Sequence, residues 1–392
     1  MDKPLQGVKV LDLTRLLPGP MCSLHLADMG ADVIKIEDPI QGDYARWMGV
    51  TKPQQSGYFI AVNRNKRGLV LDLRTKAGQE IFLKLAKEAD VILESFRPRV
   101  VDKLGIDYAS IKAINPRIVY CAITGYGQTG PYAELAGHDL NYCGYAGVSD
   151  QIGRQGQAPV LSNFQIADLA GGALSAAMGI CAALFSAHKT GQGRYIDVSM
   201  TDCTLAHSVI SLSRYLSDGE TLPRGEDLLS GGVPCYGIYP TADNKFMAVG
   251  ALEYKFWALF CDTINKPELK AQHLATGEEN EAVQAQLVTL FTTHPQSYWI
   301  DKFSGVDCCV TPILRLEDSE NDPHLQARNM FIRAEHPTEG ETLQFAFPIK
   351  FSDFEFSIDR HAPSVGEHSK EILLQLGYDE ATIEGFAKDK VI

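Results

Sequence analysis

His138 sits in the run AGHDLNY, between Gly137 and Asp139, just after the glycine-rich stretch TGYGQTGPY. A histidine in such a loop can face a pocket, where an imidazole is suited to carry a proton. Asp168 opens a long uncharged stretch in NFQIADLAGGAL. An acid at a helix start can serve as an N-cap, and there burial raises its pKa while the helix dipole lowers it. Glu253 ends the strand-like KFMAVGALE and precedes an aromatic helical pattern, the position of a cap. The basic residues form two groups. Arg64, Lys66, Arg67, Arg74 and Lys76 fall within 13 residues with only Asp72 opposing them, and Arg97, Arg99 and Lys103 follow ADVILES. Two basic loops after neighbouring strands, in an acidic chain, suit a phosphate-bearing ligand.

Other chemistries lack their residues. No G-x-S-x-G turn supports a serine hydrolase, and no spaced His, Asp or Glu set reads as a metal site. The turn after the first strand, TRLLPGP, has one glycine where a dinucleotide fingerprint needs three, and no Walker-type loop occurs.

The first 125 residues alternate strand-like and helix-like segments. The strands are GVKVLDL (7–13), ADVIKIE (31–37), GLVLDL (68–73), ADVILES (89–95) and RIVYCAITG (117–125). Helical patterns run over 18–30 and 75–88. This alternation predicts an α/β fold with a doubly wound parallel sheet, whose ligands sit at the carboxyl ends of the strands. A small-residue helix over 168–187 and the strand RYIDVSM (194–200) continue it. The texture changes near 220. Helical patterns fill 254–330, and LQFAFPIKF returns a strand before the helical tail SKEILLQLGY.

The 392 residues are 45% hydrophobic and 22% charged, an ordinary globular balance. A formal net charge of −13 argues against nucleic-acid or membrane-surface partners. Nine scattered cysteines read as reduced thiols in a cytoplasmic protein, and the N-terminal MDKPLQGVKVLDL has no secretory pattern. Leu169 to Phe185 carries no charge over 17 residues, at the short limit for a membrane span; a close-packed buried helix is the expected alternative.

Taken in order, LDLTRLLPGPMCSLHLADMGADVIKIE, NKRGLVLDL, ADVILESFRP, LGIDYASIKAINPRIVYCAITGYGQTGP, GHDLNY, ADLAGG, TGQGRYIDVSM and APSVGEHSKEILLQLGY make the chain resemble the family III coenzyme A transferases, and more closely their racemase branch. The resemblance implies a large Rossmann-like domain from both chain ends and a smaller α+β middle domain. It places them at 1–200 and 226–330, with a linker at 201–225 and a return over 331–392. It also implies an interlocked homodimer and an acyl-CoA substrate, with no metal or other cofactor.

Family transferases use an aspartate nucleophile matching Asp168, covered by a loop of consecutive glycines. Here only Gly231 and Gly232 stand together in that stretch, and His138 precedes Asp139. Both features favour the racemases, which invert the carbon next to the thioester. On that reading His138 and Asp168 are the two bases, Glu253 hydrogen-bonds His138, and the backbone N–H of Asp139 meets the enolate oxygen. For coenzyme A the match points to Leu71, Asp72, Leu73, Arg74, Ser95, Phe96, Arg97, Lys103 and the run Gly137 to Tyr142. Arg97 and Lys103 are the expected phosphate partners. One departure is Asp38, where the family often has arginine; Arg64 or Lys66 is expected to supply that phosphate contact instead.

Overall fold

The computed structural model describes residues 3–50 and 55–392. Six parallel strands form one sheet in the order β3-β2-β1-β4-β5-β6. They are β1 (Lys9–Asp12), β2 (Asp32–Glu37), β3 (Lys66–Val70), β4 (Val91–Glu94), β5 (Val119–Thr124) and β6 (Tyr195–Ser199). Every residue of β3, β4 and β5 is buried, as expected of a parallel sheet covered on both faces. The order reverses between β1 and β4, so the switch point, where such sheets take ligands, lies at the ends of those two strands.

The helices joining these strands start and stop on local signals. Pro18 at the first turn sets φ for α1 (Pro18–Asp28). Ser56 caps α2 (Gly57–Asn63) by accepting from the Phe59 amide at 3.1 Å. Thr75 caps α3 (Lys76–Glu88) the same way, from Gly78 at 3.0 Å. Two short helices, α4 (Val100–Leu104) and α5 (Tyr108–Ile114), lead from β4 into β5, and α6 (Asp139–Tyr145) follows β5. Ile81, Phe82, Ile92, Ile111 and Tyr120 pack as one core with Ile372, Leu373 and Val391 from the far end of the chain.

Four charges lie fully buried beneath the switch point. Lys35 pairs with Asp43 at 2.8 Å and donates to the Thr14 carbonyl at 3.0 Å. Lys66 faces Asp12 at 3.4 Å. Asp43 also accepts the Leu16 amide at 3.0 Å, which fixes Leu16 at a left-handed φ of 65° that a leucine avoids.

The long small-residue helix departs from expectation. It runs over Ala167–Thr190 and begins with π-helical turns (Ala167–Leu174) before the regular α7 (Ser175–Thr190). It is long and apolar enough to cross a membrane, yet only 33% of its most apolar window is buried. It is therefore not the close-packed buried helix that its composition suggests. One face packs against β5, β6 and α1, and the other leaves Leu174, Met178 and Phe185 more than half exposed.

The chain divides into two compact units, residues 1–146, 163–207 and 326–392 against 147–162 and 208–325. The first also contains α8 (Met200–Ala206) and the antiparallel hairpin of β10 (Phe331–His336) and β11 (Gly340–Phe345). The second holds the antiparallel sheet β7 (Tyr236–Pro240), β8 (Phe246–Gly250) and β9 (Val310–Ile313). Around it pack α10 (Tyr254–Thr263), α11 (Gly277–Phe291) and α12 (Gln296–Phe303), through Trp257, Phe260, Phe291 and Trp299. Arg224 ties the 147–162 stretch into this unit through the Asp150 carboxylate at 2.6 Å and the Gln157 carbonyl at 2.7 Å. The second unit's first helix, α9 (Val209–Asp218), buries none of its residues.

Candidate active site

His138 stands just before α6 in extended backbone, and its amide donates to Asn141 Oδ1 at 3.0 Å. That bond anchors the entry of a helix only seven residues long. The imidazole itself is exposed. The glycines around it make room for one ring. A Cβ on Gly125 would fall 2.2 Å from the Tyr142 ring, and one on Gly137 would fall 2.6 Å from it. Tyr142 thus wedges between both turns, and its hydroxyl donates to the Gly137 carbonyl. TGYGQTGPY and GHDLNY are therefore one packed unit, in which Gly125 and Gly137 admit Tyr142 and Tyr142 orients the peptide before His138.

Asp168 is the second residue of the π-helical turns, not an N-cap. π-Turns strain a helix and recur at functional positions. Small residues let this one lie close to its neighbours. A Cβ on Gly171 would sit 2.8 Å from the Met200 carbonyl oxygen, and one on Gly172 would sit 2.9 Å from Pro18. The segment is therefore clamped between α8 and the start of α1.

Asp139 joins the two candidate bases. Its Oδ1 accepts the amides of Ala167 at 2.7 Å and Asp168 at 3.1 Å, while its own backbone follows His138. Burial first, and the Asp139 charge second, push the Asp168 carboxyl up to about 7. A carboxyl with that pKa exists in both protonation states at neutral pH, which is what a group that both takes and gives a proton requires. The Asp139 N–H, at the first position of α6, has no acceptor within its helix.

Sequence reasoning misses two residues at this site. Tyr58, on α2, feels the Asp168 and Asp43 charges, and burial ahead of both raises its phenol. The other is the Asp139 side chain, which the sequence offers only as a backbone donor. Glu253 lies in the other unit, exposed at the N-cap position of α10, and its side chain makes no capping bond.

The basic groups divide differently from the sequence expectation. Three of the first group are spent on internal pairs. Arg64 holds Asp28 at 2.7 Å, Lys66 holds Asp12, and Arg67 holds Asp32 at 2.6 Å. Arg64 and Lys66 are 3% and 0% exposed, so neither can stand in for an arginine at position 38. Asp38 instead pairs with Arg74 at 3.2 Å, and Asp72 holds the same guanidinium at 2.7 Å. The Leu71 and Leu73 side chains belong to the core, the Leu71 amide donates to the Glu37 carbonyl and the Leu73 carbonyl accepts from Gln79, so neither side chain is placed to meet a ligand. The second group remains open. Arg97, Arg99 and Lys103 are exposed, and among the described residues only Arg99 of the three is ion-paired, to Glu134 at 3.9 Å. Ser95 and Phe96 are half-buried in the same loop beside the switch point.

The molecule is thus an α/β protein built on a six-stranded parallel sheet, with Asp139 linking the backbone after His138 to the turn that carries Asp168. The model for CoA-transferase family III matches residues 5–369, and the chain belongs to that family. It is 35% identical over 390 residues to the alpha-methylacyl-CoA racemase of Homo sapiens, covering 99% of this chain and 97% of that one. It is 33% identical over 389 residues to the succinyl-CoA:glutarate CoA-transferase of Homo sapiens, covering 97% and 88%. Among solved structures it is similar to a CAIB/BAIF family protein from Brucella suis. The TM-score is 0.83 at 32% identity, over 96% of this chain and all of that one.

Proposed function

We propose that this chain racemises 2-methylacyl-CoA thioesters by moving one proton off and onto the α-carbon. The observation that carries this reading is the linkage His138–Asp139–Asp168: an open imidazole and a carboxyl raised to about 7, joined through one aspartate. One base removes the α-proton, the electrons pass to the thioester carbonyl, and the other group returns a proton to the opposite face. The two groups exchange roles with the direction of reaction. The Asp139 N–H is the candidate donor to the enolate oxygen, and Glu253 is the candidate partner of His138. Arg97 and Lys103 are the candidate contacts for the coenzyme A phosphates.

The glycine pair supports the racemase reading. Gly231 has φ 108° and its carbonyl accepts from Gln284 Nε2 at 2.8 Å. A Cβ on Gly232 would fall 2.0 Å from the Glu226 carbonyl oxygen. Both glycines are consumed by a tight turn fixed to α11, which does not suit a loop that must close over a nucleophile. The unburied apolar face of α9 and the outer face of α7 support a second copy of the chain as their cover, in the interlocked dimer.

Incubating each enantiomer of a 2-methylacyl-CoA in deuterated water tests the reading. Optical purity should fall as deuterium enters the α-position. His138→Ala and Asp168→Ala should each abolish racemisation while leaving α-exchange of opposite enantiomers. If both variants exchange the same enantiomer equally well, the two-base assignment is wrong. The second reading is coenzyme A transfer with Asp168 as nucleophile, favoured by the transferase among the relatives. Transfer of coenzyme A to a free carboxylic acid, with an enzyme-bound anhydride trapped by hydroxylamine, would establish it. A non-catalytic acyl-CoA-binding protein would instead bind normally and lose nothing in either variant.

A further inference from the structure

The mechanism leaves one buried acid unused, at the end of β4. Glu94 is 2% exposed and ends the strand that forms one side of the switch point. Its Oε2 accepts the Phe96 amide at 2.7 Å, so its carboxyl fixes the first peptide of the loop carrying Ser95, Phe96 and Arg97. In the sheet register Glu94 pairs with Ala122, and Ala122 pairs with Asp197. Two carboxyls thus lie on the same face, one on each side of an alanine. Asp197 accepts the Gln128 amide at 3.0 Å. The other titratable groups facing Glu94 are Tyr120 and Cys121 on β5 and Tyr195 on β6. Tyr120 donates its hydroxyl to the Ile106 carbonyl at 2.9 Å, so it does not neutralise the acid. No cation is paired with Glu94 among the described residues.

We propose that Glu94 is a positioning residue for the phosphate end of the ligand: its carboxyl fixes the Ser95–Arg97 turn through the Phe96 amide, and its ionisation adds a negative charge at the root of that turn that loosens an anionic ligand. The inference rests on the coenzyme A reading above. Burial and the Asp197 charge hold the Glu94 carboxyl up, at about 8, although the Phe96 bond pulls the other way. Ionisation adds a negative charge three positions before Arg97 in the chain, at the start of the loop proposed to take the phosphates. Partly screened, one such charge weakens anion binding roughly three- to tenfold. Binding of the anion in turn favours the protonated acid, so the complex takes up a proton.

The probe is acetyl-CoA, which has neither a free thiol nor an exchangeable 2-methyl centre. Its dissociation constant is measured by calorimetry from pH 6 to 9.5, for the wild type and Glu94→Gln. For the wild type it should rise roughly three- to tenfold through pH 8 and then level. In Glu94→Gln that step should vanish, with the low-pH affinity kept within about twofold, because the glutamine oxygen still accepts the Phe96 amide. Wild-type binding at pH 8 should take up a fraction of a proton, read in two buffers of different ionisation enthalpy. This second measurement needs no variant to fold. Identical pH profiles in the two proteins, or no proton uptake by the wild type, overturn the role of Glu94. Failure to bind acetyl-CoA at any pH overturns the coenzyme A reading itself, and this inference with it.

Discussion

The Asp168 carboxyl is set by what surrounds it, burial first and the Asp139 charge second. On the proposed mechanism, with its carboxyl at about 7, proton removal by Asp168 should increase with pH through that value and then level. The pH profile of α-hydrogen exchange from the enantiomer that Asp168 serves checks this. Asp139→Asn removes the like charge but keeps an oxygen for the Ala167 and Asp168 amides. The limb should then move to lower pH by roughly half to one unit. The stability linkage has the opposite sign to that of an ion-paired acid. The folded pKa of Asp168 lies above its ordinary value, so its contribution is full below 3.8 and is lost as pH rises through about 7. Asp168→Asn should accordingly be at least as stable as the wild type at pH 8, in urea titrations, while inactive.

At the scale of elements, the site depends on close backbone approach. Gly171→Ala and Gly172→Ala each force a methyl group against α8 or Pro18. Each should cost about 1–3 kcal/mol in urea titrations, the usual range for overpacking, and reduce activity by displacing the turns that hold Asp168. The charges under the switch point make a second test. Lys35→Met leaves Asp43 buried without its cation and should cost about 3–5 kcal/mol. A matching Asp43→Asn should restore much of that loss, since it removes the unpaired charge while its oxygen still accepts the Leu16 and Ala45 amides. The elements themselves are legible in the sequence, because β-branched runs such as VILE and VYCAIT alternate with capped helices. The pairings are not. Arg64 and Lys66 read as an open basic loop because their acids, Asp28 and Asp12, lie 36 and 54 positions away in the chain. The amides that Asp139 holds are likewise 28 and 29 positions off. Spacing within a motif finds local partners, and only the fold supplies these. Glu94 does leave a mark in the sequence, a charge on a strand otherwise apolar, but nothing near it in the chain says what it holds.

The largest scale is set by surface the single chain leaves uncovered. Leu216 is 75% exposed on α9 and Met178 is 71% exposed on α7. If a second copy covers them, the pair Met178→Glu and Leu216→Glu should shift sedimentation from dimer to monomer, with far-ultraviolet circular dichroism unchanged. The order in which the chain is made adds a consequence. The Val391 carbonyl accepts the Asp72 amide at 2.8 Å. His368 accepts from Gly68 at 3.2 Å, and Ser369 accepts from Val70 at 3.1 Å. On the ribosome, β3 and the loop after it must therefore wait, with one flank of their core open, while the 300 positions from Gly68 to His368 emerge, the second unit among them. That unit can be finished first. The sealing of the sheet and the fixing of the loop after β3 therefore share a single late step, taken only when the last residues of the chain arrive.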